Sequence, residues 1–219
     1  MQKPQRIRSG FNLFAPFYDF FSFVFFGRSI LHTQTHLLPE VGKCKSALVL
    51  GGGTGKLLLE LLKRDMAENY CYVDISDKMI AKSRARVEKY FPEKINSIQF
   101  ICGTVNAIPA NEKFELIITP FVLDCIVEEN LGNVMRQLKG HHVAGGKWLF
   151  ADFNVPEKRR SLAAVKVRVL YFCFNVVCGL GMKRLPDFEQ FFLELEYKKV
   201  RENYFLRGLM VARMYGWGE

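Results

Sequence analysis

None of the six cysteines in this 219-residue chain forms a C-x-x-C pair, and none has a histidine at zinc-ligand spacing. Cys44, Cys71, Cys102, Cys125, Cys173 and Cys178 therefore read as reduced core residues, several of them in apolar runs. No small-residue cleavage site follows a clean apolar stretch near the start, so a secretory signal is not expected and a cytoplasmic, reducing location is the default. The chain lacks an apolar run of the roughly 20 residues that a spanning helix needs. Residues 11–27 are interrupted by Asn12 and Asp19, and residues 169–182 are too few. No internal repeat, low-complexity tract or linker divides the chain.

What is present argues for one folded α/β unit. Hydrophobic residues make up 49% and aromatic residues 14%, with 20 phenylalanines, a content that excludes disorder because such a chain collapses. Lys and Arg number 31 against 22 for Asp and Glu, a formal charge of +9, which permits an anionic partner. The basic residues are scattered through helical stretches and no nucleic-acid motif accompanies them, so no nucleic acid is expected as a partner.

From residue 46 onward, short β-branched or apolar runs alternate with longer amphipathic ones, the pattern of βα units feeding a parallel sheet. Strands are predicted over 47–50, 70–73, 97–102, 114–119 and 147–151, and helices over 56–64, 77–91 and 130–139. Ser76 is expected to cap the second of these helices and Pro92 to end it, while Ala144-Gly145-Gly146 reads as the turn into the fifth strand. An insertion over 156–182, a helix over 186–195 and a final pair of strands, 198–205 and 208–214, complete the pattern.

The first strand runs into Gly51-Gly52-Gly53-Thr54-Gly55, where a sharp turn into a helix needs residues without Cβ and lets a ligand approach the backbone. A dinucleotide fingerprint fails because Lys56 takes the sixth position, and a phosphate loop fails because no Ser or Thr follows Gly55-Lys56. Asp74 ends the second strand about 20 residues later, where a carboxylate accepts from both hydroxyls of an adenosine ribose.

With these features the chain resembles the class I S-adenosylmethionine-dependent methyltransferases, whose domain is a seven-stranded Rossmann-like sheet. The resemblance spans about residues 14–215. It rests on Leu-Val-Leu-Gly-Gly-Gly-Thr-Gly at 48–55, Tyr-Val-Asp-Ile-Ser at 72–76, Phe-Ile-Cys-Gly-Thr at 100–104, Phe-Glu-Leu-Ile-Ile at 114–118 and Val-Ala-Gly-Gly-Lys at 143–147. Phe-Ala-Pro-Phe-Tyr-Asp at 14–19 is similar to the segment preceding this domain in quinone-biosynthesis and related small-molecule or lipid methyltransferases. The resemblance implies a doubly wound, mostly parallel α/β sheet with a C-terminal β-hairpin and an N-terminal helical lid. As one methyltransferase domain, the chain would divide into the lid (1–45), a cofactor-binding core (46–155), a helical insertion (156–185) and a C-terminal helix with hairpin (186–219).

The resemblance also implies S-adenosyl-L-methionine as cofactor and a small-molecule acceptor. The loop of Gly51, Gly52, Gly53 and Gly55 would hold the methionine portion and Asp74 the ribose, with Ile75 and Met79 on the adenine and Gly103, Thr104 and Val105 along its edge. Thr119 and Pro120 would line the methyl-transfer mouth, Phe121 and Asp124 would face the substrate, and Tyr18 would close the pocket. Two positions depart from the family: Val49 stands where an acid usually anchors the methionine amino group, and Thr104 where an acid usually takes the adenine amino group.

The cofactor's sulfonium is already a good leaving group, so positioning and exclusion of water are expected to dominate the chemistry. Where a base is needed, Asp124 is the first choice and Asp19, His32 and His36 are the others. No further ligands join His32 and His36 in a metal site, and His141 and His142 are expected at a solvent-exposed turn. The aromatic N-terminus and residues 161–182 would form an apolar lid or, with Lys158, Arg159, Arg160, Lys166 and Arg168, a peripheral membrane contact. A membrane-associated lipid or quinone methyltransferase, a non-catalytic cofactor-binding module and a nicotinamide oxidoreductase remain as alternatives, and the oligomeric state is open.

Overall fold

The computed structural model describes residues 3–16, 18–154 and 185–218. Three helices come first, α1 (Lys3–Phe14), α2 (Tyr18–Phe26) and α3 (Ser29–Thr35). The core then alternates β1 (Cys44–Leu50), α4 (Lys56–Lys63), β2 (Ala67–Asp74), α5 (Asp77–Tyr90), β3 (Ile98–Cys102), β4 (Phe114–Pro120), α6 (Glu128–His141) and β5 (His142–Phe153). After the undescribed stretch come α7 (Phe188–Glu194), β6 (Lys198–Phe205) and β7 (Met210–Gly216).

The seven strands form one sheet in the order β3-β2-β1-β4-β5-β7-β6. β1 to β5 pair in parallel, while β7 runs antiparallel to β5 and closes a hairpin with β6. This is the expected Rossmann-like, doubly wound α/β sheet with a C-terminal hairpin. The order reverses between β1 and β4, and the carboxyl ends around such a switch point form the crevice of an open α/β sheet.

The central strands β1, β4 and β7 are largely buried on both faces, which explains their near-continuous apolar runs, whereas β6 at the sheet edge is exposed. Ala47 and Val49 face one layer with the α4 leucines 57, 58, 61 and 62, whereas Leu48 and Leu50 face the other with Leu131, Met135 and Leu138 of α6. Ser76 caps α5 as expected, its hydroxyl accepting from the Met79 N–H at 3.2 Å.

Three expectations are corrected. Residues 144–146 are not a turn before β5 but a bulge within it, since Phe114 pairs with His142 and Leu116 already with Lys147. Gly145 takes φ +77° there and donates to the Trp217 carbonyl at 2.7 Å, so the extra residues find a partner without ending the strand. His142 is consequently buried, Nδ1 lying 2.7 Å from the Tyr197 hydroxyl oxygen with the two rings stacked. Cys102 is exposed at the edge strand rather than a core residue. The insertion expected over 156–182, its basic residues, Cys173 and Cys178 lie outside the described residues.

Candidate functional site

The carboxyl ends of β1, β2 and β4 open into a cavity of about 580 Å³, within the range of small-ligand sites. Its first wall is the glycine loop. Gly51 leaves β1 with φ +72° and donates to the Val73 carbonyl at 2.7 Å, and Gly53, at φ +66°, donates to Asp74 Oδ2 at 2.9 Å. A Cβ on Gly53 would meet no atom within 4 Å, so the cavity reaches the bare backbone there.

Gly52 and Gly55 do different work. A Cβ on Gly52 would lie 2.2 Å from the Tyr72 ring and one on Gly55 2.5 Å from Ser83 Oγ, and neither residue lines the cavity. They are packing glycines that let the loop lie flat on β2 and α5, with the buried Tyr72 hydroxyl donating to the Gly53 carbonyl at 3.1 Å.

Asp74 forms the second wall. It is buried yet borders the cavity, Oδ1 accepting from the Ser76 N–H at 2.9 Å and Oδ2 from Gly53. Burial pushes its carboxyl above the ordinary carboxylate range, opposed by these two amide bonds. Ile75, Met79, Gly103, Thr104 and Val105 continue this wall. Val49 is fully buried in the core and so is unavailable to any ligand.

The third wall follows β4. Phe121 has φ +53°, unusual for an aromatic residue, and is held there by its N–H on the Ala151 carbonyl at 2.7 Å and by its ring against Phe153. Phe121, Val122 and Cys125 border the cavity. Thr119 and Pro120, expected at its mouth, are buried within the sheet, and Thr119 Oγ1 accepts from Trp148 Nε1 at 2.9 Å.

Asp124 is likewise displaced from its expected position facing the substrate. It is 3% exposed, does not line the cavity, and donates its backbone N–H to Asp152 Oδ2 at 3.2 Å. Burial and then the Asp124 charge drive the Asp152 carboxyl well above its ordinary range. Sequence reading missed Asp152 because an acid inside an apolar strand carries no local signature.

The N-terminal helices cover the cavity with Phe11 and Tyr18. Burial, followed by the nearby Cys125 and Asp74, raises the Tyr18 phenol well above its ordinary range, which favours the neutral form. Asp19 is an anchor and not a base. It accepts from Thr54 Oγ1 at 2.8 Å and pairs with Arg86 and with Lys56, and the hydrogen bonds from Arg86 and Thr54 outweigh burial to hold its carboxyl below the usual range. His32 and His36 stack on each other and on Phe205, away from the cavity. Asn130, Asn133 and Gln137 add an amide face that the sequence reading missed, although their spacing on one side of α6 marks it.

Residues 47–146 match the family model described as a methyltransferase domain. The matched residues, a little under half of the chain, are similar to a methyltransferase domain. Among solved structures, a chain of the complex between a Haloferax volcanii methyltransferase activator and a methyltransferase aligns with TM-score 0.74 at 13% identity, covering 97% of this chain and 99% of that one. A SAM-dependent methyltransferase from Aquifex aeolicus aligns with TM-score 0.60 at 14% identity, over 86% and 91% of the two chains. Mitomycin 7-O-methyltransferase gives TM-score 0.66 at 13% identity, over 87% of this chain and 54% of that one. At these identities the likeness is one of fold. No curated protein sequence matches the chain. The matched segment begins in β1 and ends in the β5 bulge, so it holds the glycine loop, Asp74 and the loop after β4.

Proposed function

We propose that the protein transfers a methyl group from S-adenosyl-L-methionine to a small, apolar acceptor by direct in-line displacement. The observation that carries this reading is the change in lining across the sheet. At β2 and β1 the cavity offers a carboxylate and bare backbone, and at β4 it offers Phe121 and Val122.

The residues present fit the cofactor. Each Asp74 oxygen accepts one amide and keeps a lone pair, enough for two ribose hydroxyls. Gly51 and Gly53 would hold the methionine portion by their backbone, while Ile75 and Met79 pack on the adenine and Gly103, Thr104 and Val105 flank it. Thr104 supplies a hydroxyl where the family has an acid, and among the described lining residues nothing replaces the acid missing at Val49. Bound there, the cofactor supplies an activated methyl group on a sulfonium leaving group.

The chain's own work is then to position and to exclude water. Tyr18 closes the cavity from α2 and donates from a neutral phenol. Asp124 acts through the loop after β4, which its bond to Asp152 fixes, and is a positioning residue. Among the described lining residues Asp74 is the one carboxylate, and it is engaged with the loop, so the acceptor would bring its own nucleophilicity.

Isothermal titration with S-adenosylmethionine and S-adenosylhomocysteine, with NADH as control, tests the reading. Micromolar binding of the sulfur nucleosides alone, followed by formation of S-adenosylhomocysteine with an apolar acceptor, is expected. Binding of NADH in their place, or of none of the three, would overturn it.

A further inference from the structure

We infer that the outer face of α2 docks on an anionic lipid bilayer, lying in the plane of its surface. The helix, Tyr-Asp-Phe-Phe-Ser-Phe-Val-Phe-Phe, is apolar nearly all round, a pattern suited to burial on every side. Its inner side is occupied: Tyr18 borders the cavity and Phe26 packs on Phe153. Its outer side is bare. Phe20, Phe23 and Val24, spaced so that they share one face, are 65%, 61% and 59% exposed, and Leu13 at the end of α1 is 69% exposed.

Charge selects the occupant. In sequence, residues 1–28 carry Lys3, Arg6, Arg8 and Arg28 against the single acid Asp19, which is already paired with Arg86 and Lys56, while Arg8 pairs at the surface with Asp77 at 3.5 Å. Exposed Arg28 lies two residues beyond the end of the helix. Two copies meeting through this face would bring like charges together in a chain of net charge +9, whereas anionic headgroups complement the flanking cations while the rings enter the acyl boundary. Among the described residues no helix is long and apolar enough to cross a membrane, so the contact is one of surface docking.

Docking would also bring the bilayer to the site, because Phe11 and Tyr18 belong to the same two helices. An acceptor that partitions into lipid would reach the cavity without crossing water. This last step rests on the methyltransferase reading; the docking itself does not.

Flotation of the full chain with vesicles of phosphatidylcholine, with and without a quarter of phosphatidylglycerol, tests the inference. The protein should float with the anionic vesicles, less so at high salt, and Phe20→Ser/Phe23→Ser should partition at least about tenfold more weakly. S-adenosylmethionine titration of that variant, whose changes lie outside the cavity, should be unaltered and reports that it is folded. Wild-type protein that stays in the aqueous phase with both vesicles would overturn the docking. So would salt-insensitive flotation, or a dimer seen by sedimentation that the double variant abolishes. Flotation without cofactor binding would instead keep the docking and overturn the methyltransferase reading.

Discussion

Asp74 Oδ2 accepts the Gly53 N–H at 2.9 Å, tying the end of β2 to the loop that leaves β1. One carboxylate thus fixes the loop and keeps a lone pair on each oxygen facing the cavity. Asp74→Ala should weaken S-adenosylmethionine binding by about 1.5–3 kcal/mol, roughly 10- to 150-fold, the worth of hydrogen bonds to a charged group. Titration calorimetry on the folded variant checks this, and unchanged affinity would remove Asp74 from the site.

The same carboxylate should make cofactor affinity depend on pH. In the proposed complex ionised Asp74 would accept from both ribose hydroxyls, and burial raises its pKa. Protonation therefore begins above the ordinary carboxylate range as pH falls, and it removes acceptors. Wild-type affinity should decline on acidification, while Asp74→Asn should bind weakly with little pH dependence. A flat wild-type profile would contradict the assignment.

Gly52 and Gly53 are neighbours with opposite sensitivities. The Gly52→Ala methyl would overlap the buried Tyr72 ring, so this variant should lose about 1–3 kcal/mol of stability, read by urea unfolding. The Gly53→Ala methyl points into open space, and the substitution costs only the strain of φ +66°. Gly53→Ala should keep more of its stability but bind the cofactor less tightly, because its methyl occupies ligand space. Equal effects of the two variants on binding would defeat this division of roles.

The succession of strands and helices and the place of Asp74 at the end of β2 were legible in the sequence because both arise from local pattern: apolar runs, glycines at a turn and an acid at a strand end. The bulge at Gly145 was not. An Ala-Gly-Gly step looks like a turn until the Trp217 carbonyl, from beyond the end of β7, supplies a partner for the Gly145 N–H. Asp124 was misplaced for a related reason. Its position after β4 was read correctly, but its direction is set by Asp152 on a neighbouring strand, 28 residues away in sequence. Gly52 and Gly55 looked equivalent to Gly53 because glycine is chosen both for ligand approach and for close packing, and only Tyr72 and Ser83 distinguish the uses.

Asp19 binds the N-terminal cap to the core through Thr54, Arg86 and Lys56. Asp19→Asn keeps the shape but weakens both ion pairs. Since these groups are partly solvated, the expected loss is about 1–2 kcal/mol. The effect should be local, with faster proteolysis between α1 and α2 and weaker cofactor retention as Tyr18 loses its support. Identical cleavage rates in wild type and variant would show that the cap is held by other contacts.

His142 gives stability a pH dependence of defined sign. Burial is the main cause lowering its imidazole from 6.5 to about 4, against backbone contacts that raise it. Between those values the unfolded chain binds a proton that the folded chain refuses, so this contribution is present above pH 6.5 and is lost as pH falls toward 4. The full span corresponds to about 3 kcal/mol. Asp152 acts in the opposite sense, its raised pKa favouring the folded state as pH falls, so the wild-type curve contains both. Comparison with His142→Phe isolates the imidazole. The variant keeps a ring against Tyr197 and loses the bond to its hydroxyl, a cost that does not vary over this range. Urea unfolding at a series of pH values should show wild type losing stability relative to the variant from pH 6.5 downward. Parallel curves would mean that the imidazole is protonated in the folded protein.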